Sequence, residues 1–169
     1  RSVEQADAVR AYTQAPLMGI KTWVRLPRDE WPSHWKKMHD PVCPLRLALY
    51  GHLDSGSCWE VWNDEKMREI GFAPVPQWTG CYYHAAKCAL LTVYVDDFKL
   101  AGPKKAVAEL WKDIASKIEL EPPTPPGQYL GCHHTACRVE IAEEKQPMRG
   151  LPGRSEEHTS DLQSHSFIS

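Results

Sequence analysis

The stretch "CALLTVYVDDFKLAG", Cys88 to Gly102, places two adjacent carboxylates between two apolar runs. Leu90 to Val95 is rich in Leu, Val, Thr and Tyr, which is typical of a β-strand that is buried on at least one face. The residues "FKLAG" resume the apolar pattern directly afterwards, so we predict a tight hairpin with Asp96 and Asp97 as its turn. Because aspartate tolerates turn conformations and solvates a loop tip, one interpretation of this pair is turn chemistry alone.

Two segments have the apolar periodicity of amphipathic helices. The first begins with Ser55 or Ser57 as candidate N-cap and stops at Gly71. Its apolar face carries Trp59, Trp62, Met67 and Ile70. The second begins after Gly102-Pro103, and its apolar face carries Val107, Leu110, Trp111, Ile114 and Ile118. We predict a helix in each segment.

Further strands are predicted on either side of these helices. "VEQADAVRAYTQA", from Val3, is predicted as a short strand that leads into a helical turn, and "IKTWVRLP" alternates as a strand should. The prolines of "EPPTPPG" require an extended link, after which "QYLGCHHTACRVEIAEE" is predicted as a short hairpin. This order of elements indicates an α+β fold, with helices on one face of an antiparallel sheet.

Composition indicates a globular domain without a membrane span. The chain has 169 residues, of which 42% are hydrophobic and 25% charged, and it contains no run of eighteen apolar residues. The formal net charge is −2, and residues 154–169 hold one Arg against three acidic residues, so residues 1–153 are formally neutral. That balance lacks the basic face of a complete nucleic-acid-binding module.

Six cysteines are spread along the chain without the compact framework of a small secreted protein. The opening "RSVEQADAV" also lacks a Met and the apolar region of a signal peptide, so we expect a fragment of an intracellular chain with reduced thiols and no disulfides. "CHHTAC", Cys132 to Cys137, has the residue types of a metal site but lacks a second Cys pair at a zinc-site distance. We interpret it as strand residues.

The end of the chain differs in composition from the Trp- and Pro-rich sequence before it. "RSEEHTSDLQSHS", from Arg154, is polar and has no periodicity. It closely resembles the conceptual translation of a sequencing-library adapter, with Asp161 where the adapter encodes Glu. We therefore predict that residues 154–169 are a non-native, disordered tail and that residues 1–153 form the domain.

A second interpretation of Asp96 and Asp97 is divalent-metal binding. Mg²⁺ prefers oxygen ligands and keeps room for water and substrate phosphates. Adjacent carboxylates repel each other, and a bound cation offsets the cost of keeping both ionised. Two-metal phosphoryl transfer also needs a carboxylate from another element, and Asp7 in "DAVRAYTQAPL" is a candidate.

Three segments, in this order, resemble the polymerase motifs of Ty1/copia-type retrotransposon reverse transcriptases: "DAVRAY", "LALYGHLDSGSCW" and "LLTVYVDDF". The segments "GPKKAVAELWKDI" and "YLG" also resemble that family's continuation, so the likeness covers most of residues 1–153. It implies a polymerase palm, which is a ferredoxin-like α+β arrangement, here incomplete. It also implies RNA-directed DNA polymerase activity with two Mg²⁺ ions, or Mn²⁺ in their place.

By that resemblance, Asp7, Asp96 and Asp97 are expected to be the catalytic, metal-binding carboxylates. Ala8 matches a position that can ligate metal through its backbone carbonyl. Tyr12 matches an aromatic residue that packs under the incoming sugar and excludes a 2′-hydroxyl. The alternative for Tyr12 is an ordinary core aromatic.

Asp54 is expected to lie near the template and the incoming nucleotide, at a position where the family usually has Gln. An amide can both donate and accept hydrogen bonds, whereas an ionised carboxylate can only accept and adds negative charge. Either this branch uses different substrate contacts or the copy has decayed.

The resemblance also implies partners: an RNA or DNA template with its primer, a dNTP, and the rest of a retrotransposon polyprotein in a cytoplasmic particle, without a membrane. In the family a fingers region precedes the first Asp, and a thumb and an RNase H domain follow the palm. Only six residues precede Asp7 here, so we expect little or no polymerase activity from this chain alone.

Three alternatives stay open. The chain could be a palm-like or ferredoxin-like binding module whose carboxylates are only turn residues, which requires Asp7 to lie away from Asp96 and Asp97. It could be a metal-dependent nuclease or nucleotidyl cyclase, although neither needs a sugar-discriminating ring at the position of Tyr12. It could also be an inactive remnant of a decayed element.

Overall fold

The computed structural model describes residues 1–135 and Cys137. Its strands, in chain order, are β1 (Ser2–Asp7), β2 (Trp23–Val24), β3 (Cys43–Pro44), β4 (Ala73–Pro74), β5 (Cys81–His84), β6 (Ala89–Tyr94), β7 (Asp97–Gly102), β8 (Gln128–Tyr129) and β9 (Cys132–His133). Five of them form one antiparallel sheet in the spatial order β1, β7, β6, β5, β4. The strands β2 and β3 form a separate pair, as do β8 and β9.

One hydrophobic core joins two helices, α1 (Ser55–Glu69) and α2 (Lys104–Ala115), to one face of the main sheet. The sheet contributes the cross-strand pairs Leu91–Leu100 and Ala6–Phe98, whose members share that face. The helices contribute their predicted apolar faces: Trp59, Met67, Val107, Leu110, Trp111 and Ile114 are buried, and Trp62 and Ile70 pack against them. The prediction of an α+β fold with an antiparallel sheet is confirmed.

The predicted N-cap of α1 is wrong. Asp54 occupies the N-cap position without a side-chain capping bond, and Ser55 is already helical. The hydroxyl of Ser55 is used elsewhere, because it donates to the Leu49 carbonyl at 2.7 Å and accepts from the Leu49 amide at 2.9 Å. The predicted stop is correct, since Gly71 follows the helix with a φ of 92°.

The Pro-rich link after α2 covers the outer edge of β1. The Thr124 and Gln5 amides each donate to the other residue's carbonyl, at 2.8 and 2.9 Å, and the Glu121 amide donates to the Asp7 carbonyl at 2.8 Å. Thr124 stands between prolines and supplies the N–H that they lack. The link is extended, as predicted, and it fixes the backbone of β1 as far as Asp7.

One predicted strand segment is shorter than expected, and another is described only in part. "IKTWVRLP" forms only the two residues of β2, which pair with the two residues of β3, and one further backbone bond runs from the Leu45 amide to the Thr22 carbonyl at 2.9 Å. Trp23 is accordingly 56% exposed. The predicted terminal hairpin begins as β8 and β9, while its remainder and the predicted tail, residues 154–169, lie outside the described residues.

All six cysteines of the chain are free thiols, and only Cys58 is buried. The strand β9 places Cys132 and His133 on the surface, and Cys137 is also exposed. Among the residues that the structure describes, no helix is both long and apolar enough to cross a lipid bilayer.

Candidate functional site

Two of the three predicted aspartates lie directly opposite each other on neighbouring strands. Asp7 is the last residue of β1, Asp97 is the first residue of β7, and the two are partners in the antiparallel register. The Cβ atoms of such a pair are about 4.5–5.5 Å apart, on one face of the sheet. Ala6 and Phe98, the next pair, point into the core, so both carboxylates lie on the face opposite the helices.

The surroundings of Asp97 raise the pKa of its carboxyl group. Partial burial is the largest cause, and the charges of Asp7 and Asp96 and a hydrogen bond with the Asp7 carboxyl act in the same direction. A divalent cation would relieve the same repulsion, and two carboxylates are oxygen donors of the kind that Mg²⁺ prefers. The pair therefore fits the predicted ion.

The two-residue turn before Asp97 is Val95–Asp96, and the predicted turn Asp96–Asp97 is wrong by one residue. β6 ends at Tyr94, and Asp97 already pairs with both Tyr94 and Asp7. Val95 has a φ of 55°, as the first central position of a tight hairpin turn requires. A β-branched residue rarely adopts a positive φ, which is why the sequence pattern assigned Val95 to the strand. Asp97 is consequently fixed in the ladder.

Two hydrogen bonds from other elements hold this turn. The Trp59 indole Nε1 donates to the Val95 carbonyl at 2.7 Å. The amide of Ala8, the buried residue that follows Asp7, donates to the Asp96 carbonyl at 2.7 Å. The side chain of Asp96 is exposed. The bond from Ala8 therefore joins the end of β1 to the turn that carries the third predicted aspartate.

The three aspartates do not by themselves form a complete ligand set. Within residues 1–135 and Cys137, no group of three or more His, Cys, Asp or Glu side chains is arranged to hold a metal ion. The structure establishes the opposed pair of Asp7 and Asp97 and the adjacent turn.

Tyr12 lies in a short 3-10 turn, Ala11–Gln14, shortly after β1. It is half-buried and packs against the core. Its ring also contacts the ring of Tyr50, with the centroids 4.7 Å apart and the planes tilted by 40°. Tyr50 belongs to the "LYG" segment and is exposed, so two of the three resembling segments meet at this aromatic pair. Tyr50 was not predicted as a site residue, although an aromatic residue within the "LYG" segment could have marked it as a candidate.

Asp54 lies at the N-terminus of α1 with an exposed side chain. A carboxylate is favoured there by the helix dipole. The hydrogen bonds and ion pairs of the described residues do not connect Asp54 to Asp7, Asp96 or Asp97. The structure thus groups Asp7, Asp97 and the Asp96 turn, and it leaves Asp54 outside that group.

Residues around the β8–β9 hairpin lie against the sheet face that carries the aspartates. The Tyr129 hydroxyl is hydrogen-bonded to Thr92 Oγ1 at 3.3 Å, and Lys99 Nζ lies 4.7 Å from the Tyr129 ring centroid and contacts His134 Nδ1. Burial lowers the pKa of Lys99. Burial also raises the pKa of Tyr129; the Thr92 bond opposes this shift, and the charge of Asp97 adds to it. The sequence did not predict this cluster, although Lys99 lies two residues after Asp97 in the same strand and therefore on the same face of the sheet.

No protein-family model matches the sequence, and no curated protein matches it significantly.

Proposed function

We propose that residues 1–153 are the palm region of a Ty1/copia-type reverse transcriptase, which transfers a nucleotide from a dNTP to a primer 3′-hydroxyl. One observation carries the proposal: Asp7 and Asp97, from the first and third resembling segments, are register partners on the sheet face opposite the helices. A binding module whose carboxylates are only turn residues requires Asp7 to lie elsewhere. The α+β sheet and its helices on one face are compatible with a palm.

In this proposal Asp7, Asp97 and Asp96 would hold two Mg²⁺ ions, with help from the Ala8 carbonyl. The bound ions would lower the pKa of the primer 3′-hydroxyl and neutralise charge on the leaving phosphates. The chain's own contribution is position. The β1–β7 ladder fixes the two opposed carboxylates, and the hydrogen-bonded turn keeps Asp96 beside them.

Tyr12 would select the sugar of the nucleotide. A ring held against C2′ rejects a 2′-hydroxyl by steric contact, which is the one difference between RNA and DNA units at that atom. The contact with Tyr50 supports this role, because a neighbouring ring restricts the directions in which the Tyr12 ring can move. Asp54 would contact the substrate only as a hydrogen-bond acceptor.

The template and primer would need further protein surface. Phosphate contacts from Lys and Arg supply most of the affinity for nucleic acid, and residues 1–153 are formally neutral. We therefore assign those contacts to the fingers and thumb of a longer polyprotein in a cytoplasmic particle. The chain alone would bind metal and nucleotide better than it binds a template–primer.

Isothermal titration calorimetry of the 169-residue chain with Mg²⁺ and Mn²⁺ tests the metal site. Asp7→Asn and the double variant Asp96→Asn/Asp97→Asn should each weaken binding at least tenfold, because oxygen-ligated sites lose affinity with their carboxylates. The control variant Asp29→Asn/Glu30→Gln removes two exposed charges from the short 3-10 turn Arg28–Glu30 and should bind as wild type. Equal binding by all variants would reject the proposal and favour turn chemistry alone.

Nucleotide binding separates a polymerase from a nuclease or a cyclase. With Mn²⁺ present, wild type should bind dATP more tightly than ATP, and Tyr12→Ala should narrow that difference because it removes the steric contact. If the chain binds metal but binds dATP and ATP with equal affinity, and Tyr12→Ala changes neither affinity, another phosphoryl-transfer function is the better explanation.

A further inference from the structure

We propose that Trp59 is a positioning residue for the aspartate site. Its indole N–H would hold Val95 in the left-handed conformation and thereby set the turn that carries Asp96 and leads into Asp97. The effect on metal binding rests on the proposed function, whereas the effect on the turn does not.

The conformation of Val95 is strained and needs outside support. Its φ of 55° is unfavourable for a β-branched residue, and such conformations persist only where surrounding contacts enforce them. The side chain of Val95 is 37% exposed, so its own burial contributes little to that support. The carbonyl of Val95, however, accepts the 2.7 Å bond from Trp59.

Trp59 is itself rigidly placed. It is 2% exposed in the core and packs on Trp62 with the ring centroids 5.5 Å apart. A buried indole N–H without a hydrogen-bond partner lowers stability. The bond to Val95 therefore stabilises the buried indole of Trp59 as well as the turn. Trp111 provides the contrast, because its buried Nε1 has no hydrogen-bond partner in the described structure.

The backbone conformation of the turn determines where Asp96 and Asp97 lie. The residue after Val95 accepts the 2.7 Å hydrogen bond from the Ala8 amide, and Asp97 then opens β7 opposite Asp7. If the Val95 carbonyl is released, the turn can relax toward negative φ, and the Ala8 amide loses its fixed acceptor. The exchange rate of that amide is therefore a local readout of the turn.

The test compares Trp59→Phe with Trp111→Phe in the full chain. Each variant removes one indole N–H from a buried ring, but only the first N–H has an acceptor. We expect Trp59→Phe to speed hydrogen exchange at the Ala8 amide and to weaken Mn²⁺ binding, each by about three- to tenfold, as the loss of one hydrogen bond implies. Trp111→Phe should leave both quantities at wild-type values.

Val95→Gly supplies a rescue, because glycine adopts a positive φ without strain. The double variant Trp59→Phe/Val95→Gly should recover wild-type exchange at Ala8 and most of the Mn²⁺ affinity. A purely structural role of Trp59 in the core would give no such rescue.

The outcomes separate this inference from the proposed function. Unchanged exchange and unchanged Mn²⁺ affinity in Trp59→Phe would overturn the positioning role. If wild type binds no Mn²⁺, the proposed function fails, and exchange at Ala8 alone decides the role of Trp59. If Trp59→Phe does not fold, the double variant decides: a folded chain with wild-type exchange supports the role, and an unfolded chain overturns it.

Discussion

Asp7 and Asp97 face each other across β1 and β7, although they are 90 positions apart in the sequence. Like charges directly opposite each other destabilise a sheet. The next pair inward, Ala6 and Phe98, is buried and fixes the register, because a slip by one residue would turn Phe98 out of the core. The chain thus holds two carboxylates together at a cost in stability, which a bound cation or proton would offset.

Replacing Asp97 by Asn should stabilise the metal-free chain at neutral pH. Because folding raises the pKa of Asp97, the folded chain binds more protons between the unfolded and folded pKa values, and stability falls as pH rises through that window. Above this pH window, Asp97→Asn should raise the free energy of unfolding by about 0.2–1 kcal/mol. Below the unfolded value of about 3.9 the gain should vanish, since the carboxyl is protonated in both states.

Urea unfolding at pH 7 and pH 3, without divalent ions, measures this difference. Asp29→Asn removes an exposed carboxylate from a different element and should change the free energy of unfolding little at either pH. A loss of stability in Asp97→Asn at pH 7 would show that the carboxylate makes net favourable contacts, contrary to the repulsion inferred here.

Neighbouring leucines in β6 should respond very differently to truncation. Leu91 is fully buried in the core, whereas Leu90 is 43% exposed on the opposite face. Leu91→Ala should lower the free energy of unfolding by about 2–5 kcal/mol, because it leaves a cavity in the core. Leu90→Ala should cost less than about 1 kcal/mol by the same denaturant measurement. Similar losses at the two positions would contradict the assigned faces.

Gly80 should be intolerant of a side chain. Its φ is 72°, and an added Cβ would lie 2.4 Å from the Val93 carbonyl oxygen. Gly80→Ala should therefore cost about 2 kcal/mol or more, from strain and from displacement of β6. Gly56→Ala is the matched change in α1, where a Cβ meets nothing within 4 Å, and it should stabilise the chain by about 0.4–1 kcal/mol. Thermal unfolding of the two variants in parallel measures the contrast, and a neutral Gly80→Ala would contradict this backbone geometry.

Sequence periodicity correctly predicted the elements in which a long apolar pattern coincides with the buried face. α1, α2 and the β6–β7 hairpin have repeated apolar faces, so local propensity and tertiary burial agree. The turn at Val95 was misplaced because tertiary hydrogen bonds from Trp59 and Ala8 override the strand preference of a β-branched residue. β2 is short because its partner β3 has only two residues, and no pattern within "IKTWVRLP" can reveal the length of a partner strand.

The sequence predicted site residues only within the three segments that resemble the polymerase family. The pairing of Asp7 with Asp97 follows from the resemblance and is present in the register. The Tyr12–Tyr50 contact and the packing of Tyr129 on Lys99 were missed. Both join residues about 30 or more positions apart, and single-sequence periodicity reports only on neighbours within an element.

Paramagnetic broadening of backbone amide signals by Mn²⁺ tests the central claim most directly, because it reports where the ion binds. At Mn²⁺ concentrations well below that of the protein, the amides of residues 6–8 and 95–98 should broaden first, and Asp97→Asn should abolish that pattern. Broadening that centres instead on the histidines near residues 34–39 or 132–134, or that persists unchanged in Asp97→Asn, would contradict a metal site at the Asp7–Asp97 pair.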